Sequence, residues 1–201
     1  MPLDARSADL VSALSTRLSG VALDQIDAEV DRALEEIVDC LGSDRASFIE
    51  LSAEDGMMVL THSRARPGVD PVPLGRTFIG RWYQERLRQG ESLRLARLPD
   101  DLPAEAGEVR DFTVALSMRS HLAVPLSVGG RWVCALVTAT TTQYRSWSDL
   151  DVARLREFGQ LLATAIHRRN LERELRETLS DLRTLQNSAQ QVPMAAIAAL
   201  K

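Results

Sequence analysis

Cysteine and histidine are the residues of this 201-residue sequence that could most readily bind a metal or carry redox chemistry. The two cysteines, Cys40 and Cys134, are far apart and form no Cys-x-x-Cys pair, so they predict neither a disulfide framework nor a thiol-redox centre. The three histidines, His62, His121 and His167, share no metal-ligand spacing with one another or with the cysteines. The sequence therefore predicts no metal cofactor.

The usual signatures of hydrolases and transferases are missing as well. The sequence holds no Gly-x-Ser-x-Gly elbow, no phosphate-binding glycine loop and no His-Glu-x-x-His pair. Asp149 and Asp151 are close together, but they follow Ser148 at the start of a predicted helix, where carboxylates complement the helix dipole. We therefore expect a protein that is not an enzyme.

Charge and hydropathy limit the partners. The formal net charge is -4 and the isoelectric point is about 5.5, which argues against a nucleic-acid binder with a basic face. No apolar run approaches the roughly 20 residues that a membrane span needs. The N-terminus carries acidic residues and no apolar signal core. We expect a cytoplasmic protein that contacts neither nucleic acid nor membrane.

Two β-hairpins are the elements that would position the candidate side chains. The first joins residues 46–51 to 57–61 through an Asp-Gly turn, with Leu51 opposite Met58 and Ile49 opposite Leu60. The second joins residues 119–128 to 131–140 through Gly129-Gly130. Its predicted pairs are Val128 with Arg131, Leu126 with Val133, Val124 with Ala135, and Leu122 with Val137. Pro125 lacks a ladder donor, so it requires an outward-facing position or a bulge.

Each predicted hairpin has one apolar face and one mixed face. We expect the apolar faces to pack against amphipathic helices and the mixed faces to line a pocket in which a few polar groups orient a ligand. The candidate pocket residues are Phe48, Phe78, Trp82, His121, Cys134 and Thr138. Structural roles remain open for three of them: His121 as a hydrogen-bonded core histidine, Cys134 as a small core residue, and Trp82 as packing for a short helix.

A long helix is predicted after Ser148, which with Asp151 forms a capping box. Its second half becomes highly charged and carries a short heptad-like seam with charged flanks. We expect this seam to pair with a second copy of the chain; its residues are Leu171, Leu175, Leu182 and Leu185. The predicted organisation is an N-terminal helix over 1–20, a domain over 21–169 and a helical signalling or dimerisation tail over 170–201.

Three stretches of the sequence resemble the GAF domain family. They are Ser117 to Gly130, with its Val-Pro-Leu strand and Gly-Gly turn; Arg145 to Asp151, at the entry to the last helix; and Leu98 to Pro103. The resemblance covers roughly residues 20–170. It departs from the family pattern at Ser117 and at Cys134-Ala135, where glycine is frequent.

The resemblance implies an α+β fold. A central antiparallel sheet carries amphipathic helices on one face and a pocket roofed by loops and short helices on the other. It also implies a sensory module that feeds a histidine kinase, an ATPase transcription activator or a cyclic-nucleotide enzyme. Residues 91–117 contain neither the cysteine nor the histidine of bilin-binding members, so no covalent tetrapyrrole is expected.

Three functions follow from the sequence. The first is a sensor that binds an unidentified small molecule and relays a signal through a dimerising helix. The second is a dimerisation and relay module that binds no ligand. The third is a thiol reductase of the same fold, which predicts that activity is lost in Cys134→Ser; it is disfavoured because no cysteine lies between Leu41 and Val133.

Overall fold

The structure is a computed structural model that describes residues 3–52, 54–76 and 79–198. Two helices come first, α1 (Leu3–Gly20) and α2 (Ile26–Leu41), separated by a 3-10 turn at Leu23–Gln25. Every third or fourth residue of α2 is apolar, and this stripe is buried. Gly42 ends the helix in the left-handed conformation at a φ of 61°, which glycine adopts readily.

Six antiparallel strands form one sheet in the order β3-β2-β1-β6-β5-β4. The two predicted hairpins make its centre, β1 (Arg45–Leu51) with β2 (Met58–Ala65) and β5 (Ser120–Val128) with β6 (Arg131–Thr140). Two short strands, β3 (Gly75–Arg76) and β4 (Leu93–Leu95), close its edges. The fold class predicted from the sequence, α+β around a central antiparallel sheet, is confirmed.

Three further helices complete the chain. Two are short, α3 (Arg81–Arg88) and α4 (Gly107–Ala115), and α5 runs over Asp149–Ala198. The predicted capping box opens α5: Asp151 N donates to Ser148 Oγ at 3.1 Å, and Ser148 N donates to Asp151 Oδ2 at 2.8 Å. The contacts divide the chain into two units, Met1–Ala165 and Ile166–Lys201.

The first hairpin has the predicted register next to its turn. Leu51 lies opposite Met58 and Ile49 lies opposite Leu60. A bulge between Phe48 and Ile49 then shifts the pairing, so that Phe48 lies opposite His62. The predicted pairs of this hairpin are therefore confirmed.

The second hairpin has the predicted register at its turn only. Val128 lies opposite Arg131, and both turn glycines have positive φ. A bulge between Leu126 and Ser127 then shifts β6 by one residue. The predicted partners of Leu126, Val124 and Leu122 are wrong; the observed ones are Cys134, Leu136 and Thr138. A shift of one residue moves every following side chain to the other face.

One face of the sheet packs against the helix α5. A Cβ added to Gly159 of α5 would lie 2.7 Å from Leu126 Cδ1 and 3.2 Å from Leu136 Cβ, so the helix backbone lies directly on these two side chains. Residues paired across neighbouring strands share a face. Phe48 pairs with Leu136 and Cys134 pairs with Leu126, so both belong to this helix-facing side.

The opposite face is covered by α3, α4 and the loops beside them. Its buried cluster includes Ile49, Leu60, Tyr83, Val109 and Val137. The prediction that the apolar face of the first hairpin packs against the long helices is therefore wrong, because Ile49 and Leu60 face the short-helix side. That side is itself largely apolar, so polarity alone does not distinguish the two faces.

Candidate functional site

A cavity lies between the sheet and the short helices α3 and α4. The space open to the centre of a water molecule is about 20 Å³, which is room for about one water molecule. Its floor comes from β1, β2, β5 and β6, and its roof comes from α3, α4 and the neighbouring loops. The lining residues are Arg45, Ser47, Ile49, Leu60, Val72, Ile79, Tyr83, Val109, Phe112, Thr113, Met118, His121, Val137, Thr138 and Ala139.

Strand pairing brings two polar side chains to the cavity floor. Arg45 and His121 both lie opposite Ala139, one on each side of β6. The three residues therefore form one row across the sheet, with a small alanine between two long polar side chains. Neighbouring strands are about 4.8 Å apart, so the two outer backbones are separated by roughly 10 Å.

His121 is buried and has one hydrogen-bonded ring nitrogen. Its Nε2 lies 2.8 Å from the Tyr83 hydroxyl, and the two ring centroids are 5.6 Å apart. Its Nδ1 has no hydrogen-bond partner among the described residues. Burial lowers the pKa of His121 from 6.5 to about 4, so the ring is neutral at neutral pH. Burial also raises the pKa of Tyr83, which keeps its hydroxyl proton available for donation.

Arg45 begins β1 and is 8% exposed. Its Nε donates to the Asp70 carbonyl at 2.6 Å and its Nη1 donates to the Leu116 carbonyl at 2.7 Å. These carbonyls belong to the loop before β3 and to the end of α4. Desolvation lowers the pKa of Arg45, while the charges of Asp70 and Asp44 oppose that shift. Arg45 therefore ties two parts of the roof to the sheet without forming an ion pair among the described residues.

A chain of hydroxyl groups holds the loop before β3. Ser47 Oγ lies 3.0 Å from Ser63 Oγ, and Val72 N donates to Ser63 Oγ at 2.9 Å. Ser47 and Val72 both line the cavity. The roof is thus attached to the sheet by a small number of hydrogen bonds at Ser63, Arg45 and Tyr83.

The structure brings some of the sequence-predicted pocket residues together and separates others. His121 lines the cavity. Thr138 also borders the cavity, but its pairing with Leu122 places its side chain on the helix-facing side, where its hydroxyl donates to the Arg45 carbonyl at 2.9 Å. Phe48 and Cys134 lie on the helix-facing side, so their predicted place in the pocket is wrong. The bulge in the second hairpin moves Cys134 to the helix-facing side. Phe48 lies there because the face of the first hairpin that was predicted to line the pocket packs against the helices instead.

The two aromatic candidates of the roof have different outcomes. Trp82 packs against the apolar cluster from α3 but is not among the cavity-lining residues, and Arg86 stacks over its ring at 5.6 Å. Phe78 lies outside the described residues. The neighbouring Tyr83, which the sequence analysis did not select, is the α3 residue that reaches His121.

Arg45 and Tyr83 are two polar contributors to the cavity that the sequence did not indicate. Arg45 directly precedes an apolar strand, where an arginine is typical of a solvent-exposed strand end. The alternation of β1 nevertheless places Arg45 on the same face as Ser47 and Ile49, and the cavity lies on that face. This alternation is the signal that could have identified it.

The thiols lie in environments that suppress their reactivity. Burial raises the pKa of Cys134, and the Glu50 carboxylate raises it further. Burial also raises the pKa of Cys40. Both thiols are therefore protonated at neutral pH, and the thiolate is the nucleophilic form. Among the described residues, no group of histidine, cysteine and carboxylate side chains is arranged to hold a metal ion.

The second half of α5 exposes a series of leucines. The four predicted dimerisation residues, Leu171, Leu175, Leu182 and Leu185, are between 52% and 66% exposed, and Leu179 is 45% exposed. Within the described part of the chain, no helix combines the length and the apolar character required to cross a membrane.

Comparison with solved structures shows extensive similarity of fold. The chain is similar to the phycoerythrobilin-bound GAF domain of a cyanobacterial phytochrome, with a TM-score of 0.68, 16% identity and coverage of 83% of this chain and 97% of that chain. It is similar to the phycocyanobilin-bound GAF domain of a cyanobacterial phytochrome, with a TM-score of 0.67, 18% identity and coverage of 83% and 96%.

An enzyme has the same fold. The free methionine-R-sulfoxide reductase from Neisseria meningitidis, in complex with its substrate, has a TM-score of 0.61, 14% identity and coverage of 83% of this chain and 91% of that chain. No curated protein sequence matches the chain. The family model of the GAF domain matches residues 25–166, which include the sheet, the cavity and the beginning of α5. The chain therefore belongs to the GAF domain family.

Proposed function

We propose that this GAF domain is a regulatory sensor whose cavity binds a small molecule. The observation that carries the proposal is Nδ1 of His121, a buried polar atom at the wall of a largely apolar cavity that has no hydrogen-bond partner among the described residues. Buried polar groups in native proteins are nearly always hydrogen-bonded, and exceptions require an explanation. A ligand that supplies the missing partner explains this one.

The size of the cavity also bears on the ligand. About 20 Å³ admits a water molecule, so a larger ligand requires the roof to move outward. The structure then represents the closed state, and ligand binding favours a more open one. No cysteine is among the described residues that line the cavity, so we propose non-covalent binding and no attached tetrapyrrole.

The test is a thermal-shift screen against small metabolites with a cavity-filling variant. Ala139→Val adds two methyl groups at the cavity floor between Arg45 and His121. We expect it to abolish the stabilisation by any ligand that stabilises the wild-type protein. Ala123→Val is the matched control, because Ala123 is buried in the same apolar cluster but does not line the cavity. A ligand that stabilises both variants equally would contradict the proposal.

We further propose that the second half of α5 dimerises and transmits the signal to an output domain, such as a histidine kinase or an ATPase transcription activator. The support is the exposed leucine seam, because large apolar side chains exposed in series on one helix typically pack against a partner. A double variant, Leu175→Glu with Leu182→Glu, should convert a dimer to a monomer in sedimentation experiments. Ser180→Glu is the control, because Ser180 lies off the seam, and it should leave the dimer intact. If the double leucine variant is still a dimer, the proposal that this seam dimerises is wrong.

A second candidate function is a dimerisation and relay module without a ligand. The near-complete filling of the cavity favours it, since packing alone could then explain the roof. This alternative predicts that no metabolite stabilises the protein and that His121→Gln leaves dimerisation unchanged.

A thiol reductase receives no such support, because both thiols are buried and protonated. We expect Cys134→Ser to leave the regulatory function unaffected.

A further inference from the structure

We propose that the ligand of the cavity is a small aliphatic monocarboxylate, held by the guanidinium of Arg45 and by Nδ1 of His121. This inference rests on the proposed sensory function and specifies the chemistry of the same cavity. It is based on three observations: a buried cation and a buried ring nitrogen that have, respectively, no ion pair and no hydrogen-bond partner among the described residues, and an apolar lining for the rest of the molecule.

Arg45 supplies the charge. A guanidinium that is 8% exposed is normally paired with an anion, because removing a charge from water is costly. Here Nε and Nη1 bond to neutral carbonyls, and Nη2 makes no hydrogen bond among the described residues. Asp70 and Asp44 act on Arg45 through their charges, but neither forms an ion pair with it among the described residues. A carboxylate in the cavity would supply a charged partner in direct contact and accept from Nη2.

His121 supplies a second donor. The buried Tyr83 hydroxyl retains its proton and can donate to Nε2, which leaves the proton of the neutral imidazole on Nδ1. In that tautomer Nδ1–H needs an acceptor, and a carboxylate oxygen is one. Arg45 and His121 flank Ala139 in one row of the sheet, so both lie on the same face, and both line the cavity.

The remaining lining determines the rest of the ligand. It is formed mainly by aliphatic and aromatic groups, among them Ile49, Leu60, Ile79 and Met118. Arg45 is the one charged residue among the described lining residues, so no carboxylate is available there for the ammonium group of an amino acid, and no second cation for a dicarboxylate. An unbranched or branched aliphatic acid satisfies both the polar and the apolar parts of the cavity.

The same contacts link binding to movement. Arg45 donates to the carbonyls of Asp70 and Leu116, which belong to the loop before β3 and to the end of α4. A carboxylate that binds bidentately needs a second guanidinium nitrogen beside Nη2, so it competes with one of these carbonyls. Binding therefore weakens the attachment of one of the two roof segments at the point where the cavity must enlarge.

The experiment compares butyrate with butyramide, which has nearly the same shape and no charge, by titration calorimetry on the full chain. We expect butyrate to bind at least about tenfold more tightly, since a charge-assisted hydrogen bond contributes more than a neutral one. Arg45→Gln should remove that preference. Arg119→Gln is the matched control, because Arg119 is an exposed arginine outside the cavity lining, and it should preserve the preference.

The wild-type comparison keeps the inference falsifiable even if Arg45→Gln does not fold. In that case the ¹⁵N resonance of His121 Nδ1 provides the second measurement, and it should shift at lower concentrations of butyrate than of butyramide. Equal binding of the two compounds, or a butyrate preference that survives Arg45→Gln, would overturn the inference. If butanol shifts the methyl resonances of Ile49 and Leu60 while butyrate does not, the carboxylate assignment is wrong and the sensory function stands. If none of the three probes binds, the carboxylate inference is wrong, and the metabolite screen decides the sensory function separately.

Discussion

The two faces of the central sheet differ in how their covering layers are attached. On the helix-facing side, α5 lies so close that Gly159 has no space for a Cβ against Leu126 and Leu136. On the cavity side, the cover consists of short helices and loops that are attached through Arg45, Ser63 and Tyr83. The first contact depends on continuous apolar packing, and the second depends on a few hydrogen bonds around a small cavity.

The two sides of the sheet also differ in how a buried histidine is hydrogen-bonded. His62 and His121 are both 6% exposed. His62 pairs with Phe48 on the helix-facing side, and both of its ring nitrogens have neighbours, Thr61 Oγ1 at 3.0 Å and Asp27 Oδ1 at 3.3 Å. The Nδ1 of His121, on the cavity side, has no hydrogen-bond partner among the described residues. Both ring nitrogens of His62 are thus occupied within the protein, whereas one ring nitrogen of His121 can accommodate an additional molecule.

The largest expected effect compares the same substitution on the two faces. Leu136→Ala should cost about 4–5 kcal/mol, at the upper end of the range for buried leucine, because α5 cannot collapse into the space. Leu60→Ala should cost about 2–3 kcal/mol, since the roof over Leu60 can adjust. Urea unfolding of both variants measures the difference. Equal losses would show that the two faces are equally rigid.

The second effect is a dependence of stability on pH that comes from His121. Its pKa is about 4 in the folded chain and 6.5 in the unfolded one. Below pH 6.5 the unfolded chain binds a proton that the folded chain does not, so stability is complete above 6.5 and falls as the pH approaches 4. The loss is roughly 3 kcal/mol. The difference in unfolding free energy between the wild type and His121→Gln, measured across that range, isolates this contribution.

The control for the pH effect is the high-pH limit. Above pH 6.5 the difference between the two proteins should be constant, because neither state of His121 gains a proton there. A difference that is constant over the whole range would mean that His121 titrates normally, and that its surroundings are more hydrated than the structure indicates.

The smallest effect tests the hydrogen bond between roof and floor. Tyr83→Phe keeps the ring but removes the hydroxyl, which leaves His121 Nε2 without its partner. We expect a loss of about 1–2 kcal/mol, the usual cost of an unsatisfied buried polar atom. Tyr144→Phe is the matched control, because Tyr144 is largely exposed and its hydroxyl is 3.5 Å from its donor on Arg119. A loss in Tyr144→Phe as large as that in Tyr83→Phe would contradict the account.

The sequence predicted the sheet better than it predicted the site, because the turns and caps of the sheet and helices depend on residues that are neighbours in the chain. The Asp-Gly hairpin, the Gly129-Gly130 turn and the capping box at Ser148 each depend on residues close in sequence, and these predictions are confirmed. The placement of Cys134 depends on one extra residue at a bulge. Alternating hydrophobicity carries no information on that residue, so the prediction for Cys134 failed.

Arg45 illustrates a second limit of prediction from sequence, which is burial by residues that are distant in the chain. Its partners, Asp70 and Leu116, are 25 and 71 residues away in the chain. Its burial follows from the way the loop and α4 close over the start of β1, which no local pattern encodes. His121 was selected correctly as a cavity residue because the alternation in β5 alone decides its face; its role in binding stays a prediction.

The most direct test of a sheet with one fixed face and one ligand-binding face is methyl NMR with a library of small acids and their neutral amides. The cavity-side probes are Ile49, Leu60, Val72 and Met118, and the helix-side probes are Leu122, Leu126 and Leu136. We predict saturable shifts confined to the cavity-side methyl groups. Shifts on the helix-side set, or no saturable shift from any compound, would contradict the account.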